Sequence, residues 1–181
     1  MKNLIVIGLL IVVNTTFAQE KINWMSLEEA VEAQAIAPKK IMMDVYATWC
    51  GPCKMLDKNT FQHPDVAAYV NQNFYAVKFN AEGQEKIVYK DETYVNPNYD
   101  ATKKGRNGIH QFTSHLGINS YPTVVFMDEN ANLIAPIVGY HTPTQLEIYL
   151  KLFATDKFKE IDTKDKWISY QNEFKNEFVY E

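Results

Sequence analysis

The stretch from Ile41 to Lys54 constrains this chain more than any other. Ile41-Met42-Met43-Asp44-Val45-Tyr46-Ala47 is an almost continuous apolar run holding a single acid, and a short run without alternation is the pattern of a strand buried on both faces. Cys50-Gly51-Pro52-Cys53 follows at once. A proline suited to a helix's first turn opens a helical segment over Pro52–Lys58. His63-Pro64-Asp65 starts another that runs through Tyr69 and Val70, and Phe74 to Asn80 reads as the next strand. Strand, helix, strand is a βαβ unit, which implies parallel pairing and a right-handed crossover.

The flanks extend this α/β core. Ser26-Leu27-Glu28-Glu29 has the capping-box spacing, and Leu27, Ala30, Val31 and Ala35 follow at helical period until Pro38, so a helix is expected over 27–37. Downstream, Ile109 to Leu116 reads as a helix ended by Gly117. Thr123–Met127 and Leu133–Val138 are apolar runs joined by Asp128-Glu129-Asn130-Ala131-Asn132, a hairpin signature. Thr144 to Phe153 closes the core as a helix. Trp167, Tyr170, Phe174 and Phe178 then recur at spacings of three and four, one apolar stripe on a final helix.

The first eighteen residues stand apart. Lys2 gives a positive start, Leu4 to Val13 is apolar with only Gly8 in it, and Thr16-Phe17-Ala18 ends in a small residue. This is the pattern of a cleaved secretory signal over 1–18. The run falls short of the roughly 20 apolar residues an anchor needs, so a periplasmic or otherwise secreted protein with no stable membrane insertion is expected. The net charge of −4 in 181 residues removes the basis for binding a phosphate backbone, which argues against nucleic acid.

Export makes the cysteine count informative. An exported chain that used disulfides as staples would carry several widely spaced pairs, whereas this one has only Cys50 and Cys53. Closing so short a loop removes little chain entropy, so chemistry is the better explanation. At a helix N-terminus the backbone N–H groups and the helix dipole stabilise a thiolate, which makes Cys50 a nucleophile. Cys53, one turn further on, is placed to resolve the resulting mixed disulfide. Gly51 lets a partner chain approach and Pro52 pre-sets the turn. The competing reading is a zinc site with His110 and His115, although Cys53 and His110 lie much further apart than the about 12–15 residues of a zinc finger.

Several spaced motifs in order carry a resemblance to the thioredoxin superfamily over residues 39–154. Asp44-Val45-Tyr46-Ala47-Thr48-Trp49-Cys50-Gly51-Pro52-Cys53-Lys54 resembles its active-site strand and helix. Val77-Lys78-Phe79-Asn80 resembles the next strand, Gly117-Ile118-Asn119-Ser120-Tyr121-Pro122-Thr123 the cis-proline loop, and Val138-Gly139 the end of the last strand. Phe61 with Pro64-Asp65-Val66 is similar to the exported members, including the C-terminal periplasmic domain of the Dsb-system reductant conductor. The resemblance implies a thioredoxin-like fold: a central mixed sheet flanked by helices, with an insert over 81–116 and a C-terminal helical extension over 155–181, the domain proper covering 19–154.

It also implies roles. Asp44, which on pattern alone could instead face solvent at a sheet edge, would sit beneath Cys53 and accept its proton, with Lys78 close by. Trp49, otherwise a core residue, would shield an exposed nucleophilic sulfur. A cis bond before Pro122 would turn the Tyr121 backbone toward Cys50 as a short pairing site for a partner segment, with Gly139 beside it. His63 and His141 read as surface residues.

The implied activity is a protein-disulfide reductase, needing no cofactor and no metal, that acts on protein disulfide substrates and is recharged by a membrane-bound electron donor. The Gly-Pro dipeptide between the cysteines carries the reductive direction. The alternative class is a metal-binding or partner-binding protein on the same scaffold with little redox turnover. Tyr89, Tyr94 and Tyr99, spaced five apart in the insert, are either partner anchors or rings that pack the loop onto the core.

Overall fold

In the computed structural model, residues 20–178 are described, so the proposed signal segment lies outside them. Strand β2 (Lys40–Tyr46) is the centre of a five-stranded sheet. Strand β3 (Phe74–Asn80) pairs parallel to it, with Asp44 opposite Lys78. On the other side β6 (Thr123–Met127) runs antiparallel to β2 and to β7 (Leu133–Val138). The edge beyond β3 is closed by β1 (Trp24–Met25), a two-residue strand too short for any periodicity to betray. The sheet is mixed, as the resemblance implies. β2 is buried along almost its whole length, because helices cover both of its faces.

On one face lie α1 (Leu27–Ile36) and the insert, around Met43, Val45, Val77, Phe79 and Phe112. The Ser26 hydroxyl accepts from the Glu29 N–H at 3.1 Å, and the Glu29 carboxylate accepts from the Ser26 N–H at 2.7 Å, so the capping box is complete. The other face carries α2 (Gly51–Leu56), α3 (Pro64–Asn73) and α5 (Pro143–Ala154), packed around Met42, Leu56, Val70, Phe126, Leu146 and Phe153. Burying each such side chain contributes about 1.5–3 kcal/mol. Successive β2 side chains alternate between the faces, so Asp44 follows Met42 onto the side that α2 covers.

Three expectations need correction. The helix expected over 52–58 stops at Leu56, and a wider π-type turn over Asp57–Phe61 leads into α3. The helix expected over 109–116 shrinks to α4 (Gln111–His115), since the His110 Nδ1 accepts from the Phe112 N–H at 3.0 Å and caps the helix there. Its end is as read: Gly117 has φ +70°, a conformation that favours glycine. The aromatic stripe of the tail is not one helix. After a short 3-10 turn (Lys157–Glu160), α6 (Lys164–Glu173) ends before Phe174 and Phe178. Phe178 is nonetheless buried, because the carboxylate of Glu147 accepts from the Glu177 and Phe178 N–H groups at 2.8–3.1 Å and folds the tail back onto α5.

The insert contains a small hairpin, β4 (Ile87–Tyr89) and β5 (Glu92–Tyr94), with no further long element. Tyr89 and Tyr94 are buried in the core cluster around Phe112, so of the three tyrosines only Tyr99, 36% exposed, is open to a partner. The hydroxyl of Tyr89 donates to the Ala131 carbonyl at 2.7 Å, which satisfies its one polar atom.

Candidate redox site

Cys50 is the N-cap of α2, and its sulfur accepts from the Cys53 N–H at 3.1 Å. The chain folds this way because Pro52, within the first turn, needs no N–H partner, while the Cys50 N–H donates to the Ala47 carbonyl at 3.0 Å and tightens the strand-to-helix turn. The two cysteines form a disulfide. A side chain at Gly51 would meet nothing within 4 Å, so the surface over the bridge is open on that side.

Elsewhere the bridge is covered. Cys50 is only 2% exposed and Cys53 4%, with Trp49 and Tyr121 packed against them. The expectation of an exposed sulfur does not hold in this oxidised state. Trp49 donates its ring N–H to Glu82 at 2.7 Å and meets Tyr121 edge-on at 6.2 Å. The Tyr121–Pro122 bond is cis. The Pro122 carbonyl accepts from the Gly139 N–H at 2.8 Å, at a backbone φ of +101° that favours glycine, which ties the proline loop to the end of β7.

Behind the bridge, a cleft of about 290 Å³ is lined by Asp44, Cys53, Lys54, Asp57 and Lys78 among others. Asp44 is 1% exposed, and its Oδ1 has no hydrogen-bond partner among the described residues. Burial is the main cause that lifts its carboxyl from 3.8 to about 7; Lys78 opposes the shift and Asp57 adds to it. The Lys78 ammonium lies 3.9 Å from Asp44 and pairs more closely with Asp57. It also sits over the rings of Trp24 at 5.0 Å and Tyr46 at 5.6 Å. The cleft therefore brings together a buried acid close to neutrality, a thiol precursor and a shared cation.

The histidines are engaged elsewhere. His110 is fully buried, with Nε2 2.7 Å from the Glu85 carbonyl, and His115 pairs with the Tyr94 hydroxyl at 3.0 Å. Among the described residues no cluster of three or more His, Cys, Asp or Glu side chains is placed to hold a metal. His63 and His141 are half-buried rather than open surface residues. His63 caps α3, and the His141 ring packs edge-on to Tyr149. Three site residues escaped the sequence reading. Asp57 stands four positions after Cys53, a helical neighbour spacing that could have flagged it. Glu82 and Arg106 lie in the insert, where no periodicity points anywhere.

Comparison with known families decides the assignment, because a thioredoxin-like domain model matches residues 27–154. The chain belongs to the thioredoxin-like family. As a member of that family it is similar to the thiol:disulfide interchange protein DsbD of Haemophilus ducreyi, with 28% identity over 135 residues. That match covers 74% of this chain and 20% of the relative, so the chain spans about a fifth of that protein's length. The thioredoxin-like protein YneN of Bacillus subtilis is 31% identical over 124 residues, 63% of this chain and 65% of that one. Among solved structures, a thioredoxin-fold protein from Helicobacter pylori superposes with a TM-score of 0.56 at 17% identity, covering 82% of this chain and 84% of that one. It shares the thioredoxin-like fold. Among the described residues no helix is long and apolar enough to cross a membrane.

Proposed function

We propose that this thioredoxin-like protein is an exported thiol–disulfide oxidoreductase that reduces disulfides in other proteins. The observation that carries the reading is the Cys50–Cys53 disulfide at the N-terminus of α2 with the buried Asp44 in the cleft behind it. In the reduced form the Cys50 thiolate attacks one sulfur of a substrate disulfide, forming a mixed disulfide and expelling the first substrate thiolate. Cys53 then loses its proton to Asp44 and attacks the Cys50 sulfur. The Cys50–Cys53 bond re-forms and the second substrate thiolate leaves. Two electrons and two protons pass to the substrate. A donor dithiol, on this reading that of a membrane protein, returns the site to the reduced state.

Trp49 and Tyr121 flank the bridge in this scheme, and the Tyr121–Pro122 loop with Gly139 offers its backbone to the substrate segment. The likeness to DsbD and the apolar N-terminal run favour export. The Gly-Pro dipeptide favours reduction as the direction.

Two measurements test this. Cys50→Ser abolishes insulin reduction, whereas Cys53→Ser accumulates partners as stable mixed disulfides, because attack survives and resolution does not. Normal turnover by Cys53→Ser would overturn the assigned roles. Equilibration against glutathione gives a midpoint near the about −270 mV of thioredoxin if the protein is a reductant; one above about −180 mV would reverse the direction of electron flow.

A further inference from the structure

Arg106 lies far from the cysteines in sequence, yet its guanidinium carbon is 4.3 Å from the centre of the Trp49 ring, a cation–π placement. Trp49 precedes Cys50 and packs against the cysteine pair, so Arg106 is one side chain removed from the disulfide. The loop that carries it is held in place. Glu82, only 8% exposed, accepts from the Trp49 ring N–H and from the Asn107 N–H, both at 2.7 Å. The Asn107 side chain then closes the loop on the Asp100 backbone with two bonds of 2.8 Å.

That loop is a local reversal of the chain's charge. The protein as a whole is at −4, but Lys103, Lys104 and Arg106 fall within four consecutive positions, and all three are exposed. Among the described residues none of them forms an ion pair. The acid within the loop, Asp100, accepts from the Thr102 N–H and hydroxyl at 2.9 and 2.6 Å, and these bonds, with a smaller contribution from Lys103, hold its carboxyl below the usual range. Beneath the loop, Glu82 Oε2 takes the two N–H groups already named, and among the described residues no ion pair joins Glu82 to Arg106. Arg106 therefore keeps its N–H donors for a carboxylate, which a guanidinium binds through two parallel bonds.

We propose that Lys103, Lys104 and Arg106 form a docking strip for acidic substrate segments, so that the cysteine Cys50 attacks is preferred when Asp or Glu residues flank it. The proposal rests on the oxidoreductase reading and names the substrate class for it. Arg106 brings one end of the strip to within a side chain of the bridge, and the strip acts on encounter and orientation, leaving the exchange chemistry itself to the cysteines.

The test uses the full chain and three synthetic peptides, each closed by one disulfide and flanked by Glu, by Lys or by Ser. Dithiothreitol restores the Cys50–Cys53 dithiol, which passes two electrons and two protons to each peptide disulfide. The readout is the ratio of kcat/KM for the Glu peptide to that for the Lys peptide, which cancels any general loss of activity. For the wild type this ratio is expected to be about tenfold at low salt and to collapse toward one in high salt. Arg106→Glu and the double variant Lys103→Glu/Lys104→Glu bring it to one or below. If Arg106→Glu disturbs Trp49, the double variant, which does not touch that ring, decides. A wild-type ratio of one, or a ratio unchanged in the double variant, overturns the docking strip while reduction of the Ser peptide upholds the oxidoreductase reading. Failure of the wild type to reduce even the Ser peptide overturns both.

Discussion

Replacing Asp44 by Asn should stabilise the protein at neutral and alkaline pH while slowing its redox turnover. Asp44 is 1% exposed and its carboxyl is raised from 3.8 to about 7, mainly by burial. Because the folded-state value lies above the unfolded one, the folded protein binds more protons between these two values. The group's contribution to stability is therefore fully present below about pH 3.8 and is lost as pH rises through about 7. A shift of roughly three units at 1.36 kcal/mol each makes the ionised carboxylate cost about 4 kcal/mol at pH 8. Asn removes that cost but buries an amide in its place, and the Oδ1 position has no partner among the described residues. A penalty of about 1–2 kcal/mol for the unsatisfied group leaves a net gain of about 2–3 kcal/mol at pH 8. At pH 4, where the wild-type acid is largely neutral already, the gain vanishes or turns into a small loss. Urea unfolding of the oxidised wild type and Asp44→Asn at pH 4, 6 and 8 measures this directly. A stability difference independent of pH would refute the reasoning, and so would a variant weaker than wild type at pH 8. In turnover assays Asp44→Asn should lose the rise in rate near pH 7 that a titrating proton acceptor for Cys53 imposes.

The insert and the tail give two further tests. Tyr89→Ser and Tyr94→Ser each cost about 3 kcal/mol in urea unfolding, because both rings are buried against Phe112, whereas the half-open Tyr99→Ser stays within about 0.5 kcal/mol of wild type. Glu147→Ala leaves the Glu177 and Phe178 N–H groups and the Lys151 ammonium without the buried carboxylate that holds them, costing about 2–3 kcal/mol. It should also open the chain after α6 to limited proteolysis; a cleavage pattern identical to wild type would show that the tail is held by its aromatic contacts alone.

How far the sequence discloses this molecule depends on whether a residue's role is local. The limits of β3, β6 and β7 follow residue for residue from their apolar runs, and the cause is plainest in β6, which is buried at all five positions because both its faces are covered, whereas β7 lies at the sheet edge and stays partly open. The capped start of α1 is equally legible, since Ser26 and Glu29 satisfy each other within one turn. The end of the tail departs from its periodicity for the opposite reason. Phe174 and Phe178 keep helical spacing from Tyr170, but a carboxylate on α5 claims the backbone N–H groups of 177 and 178, and nothing near them in sequence announces it. Periodicity reports which residues want burial, not which element will bury them.

The same distinction runs through the site. Cys50, Cys53, Trp49 and Pro52 are adjacent in sequence, and a strand-to-helix junction suffices to explain where they lie. Asp44 and Lys78 come together through the register of two parallel strands, a pairing that the βαβ unit makes possible but that only resemblance specified. Asp57 enters because the chain widens into a π-type turn as α2 ends, and there its carboxylate takes the nearer share of Lys78. Lys78 thus divides its charge between a buried acid and a half-exposed one, and the neutral form of Asp44 is favoured by the partner's diversion as well as by burial. Arg106 and Glu82 depend on a loop whose course follows from no repeating pattern. Glu82 joins that loop to Trp49 by accepting two hydrogen bonds at a single carboxylate oxygen, so the part of the chain least legible in sequence is coupled to the residue that covers the disulfide.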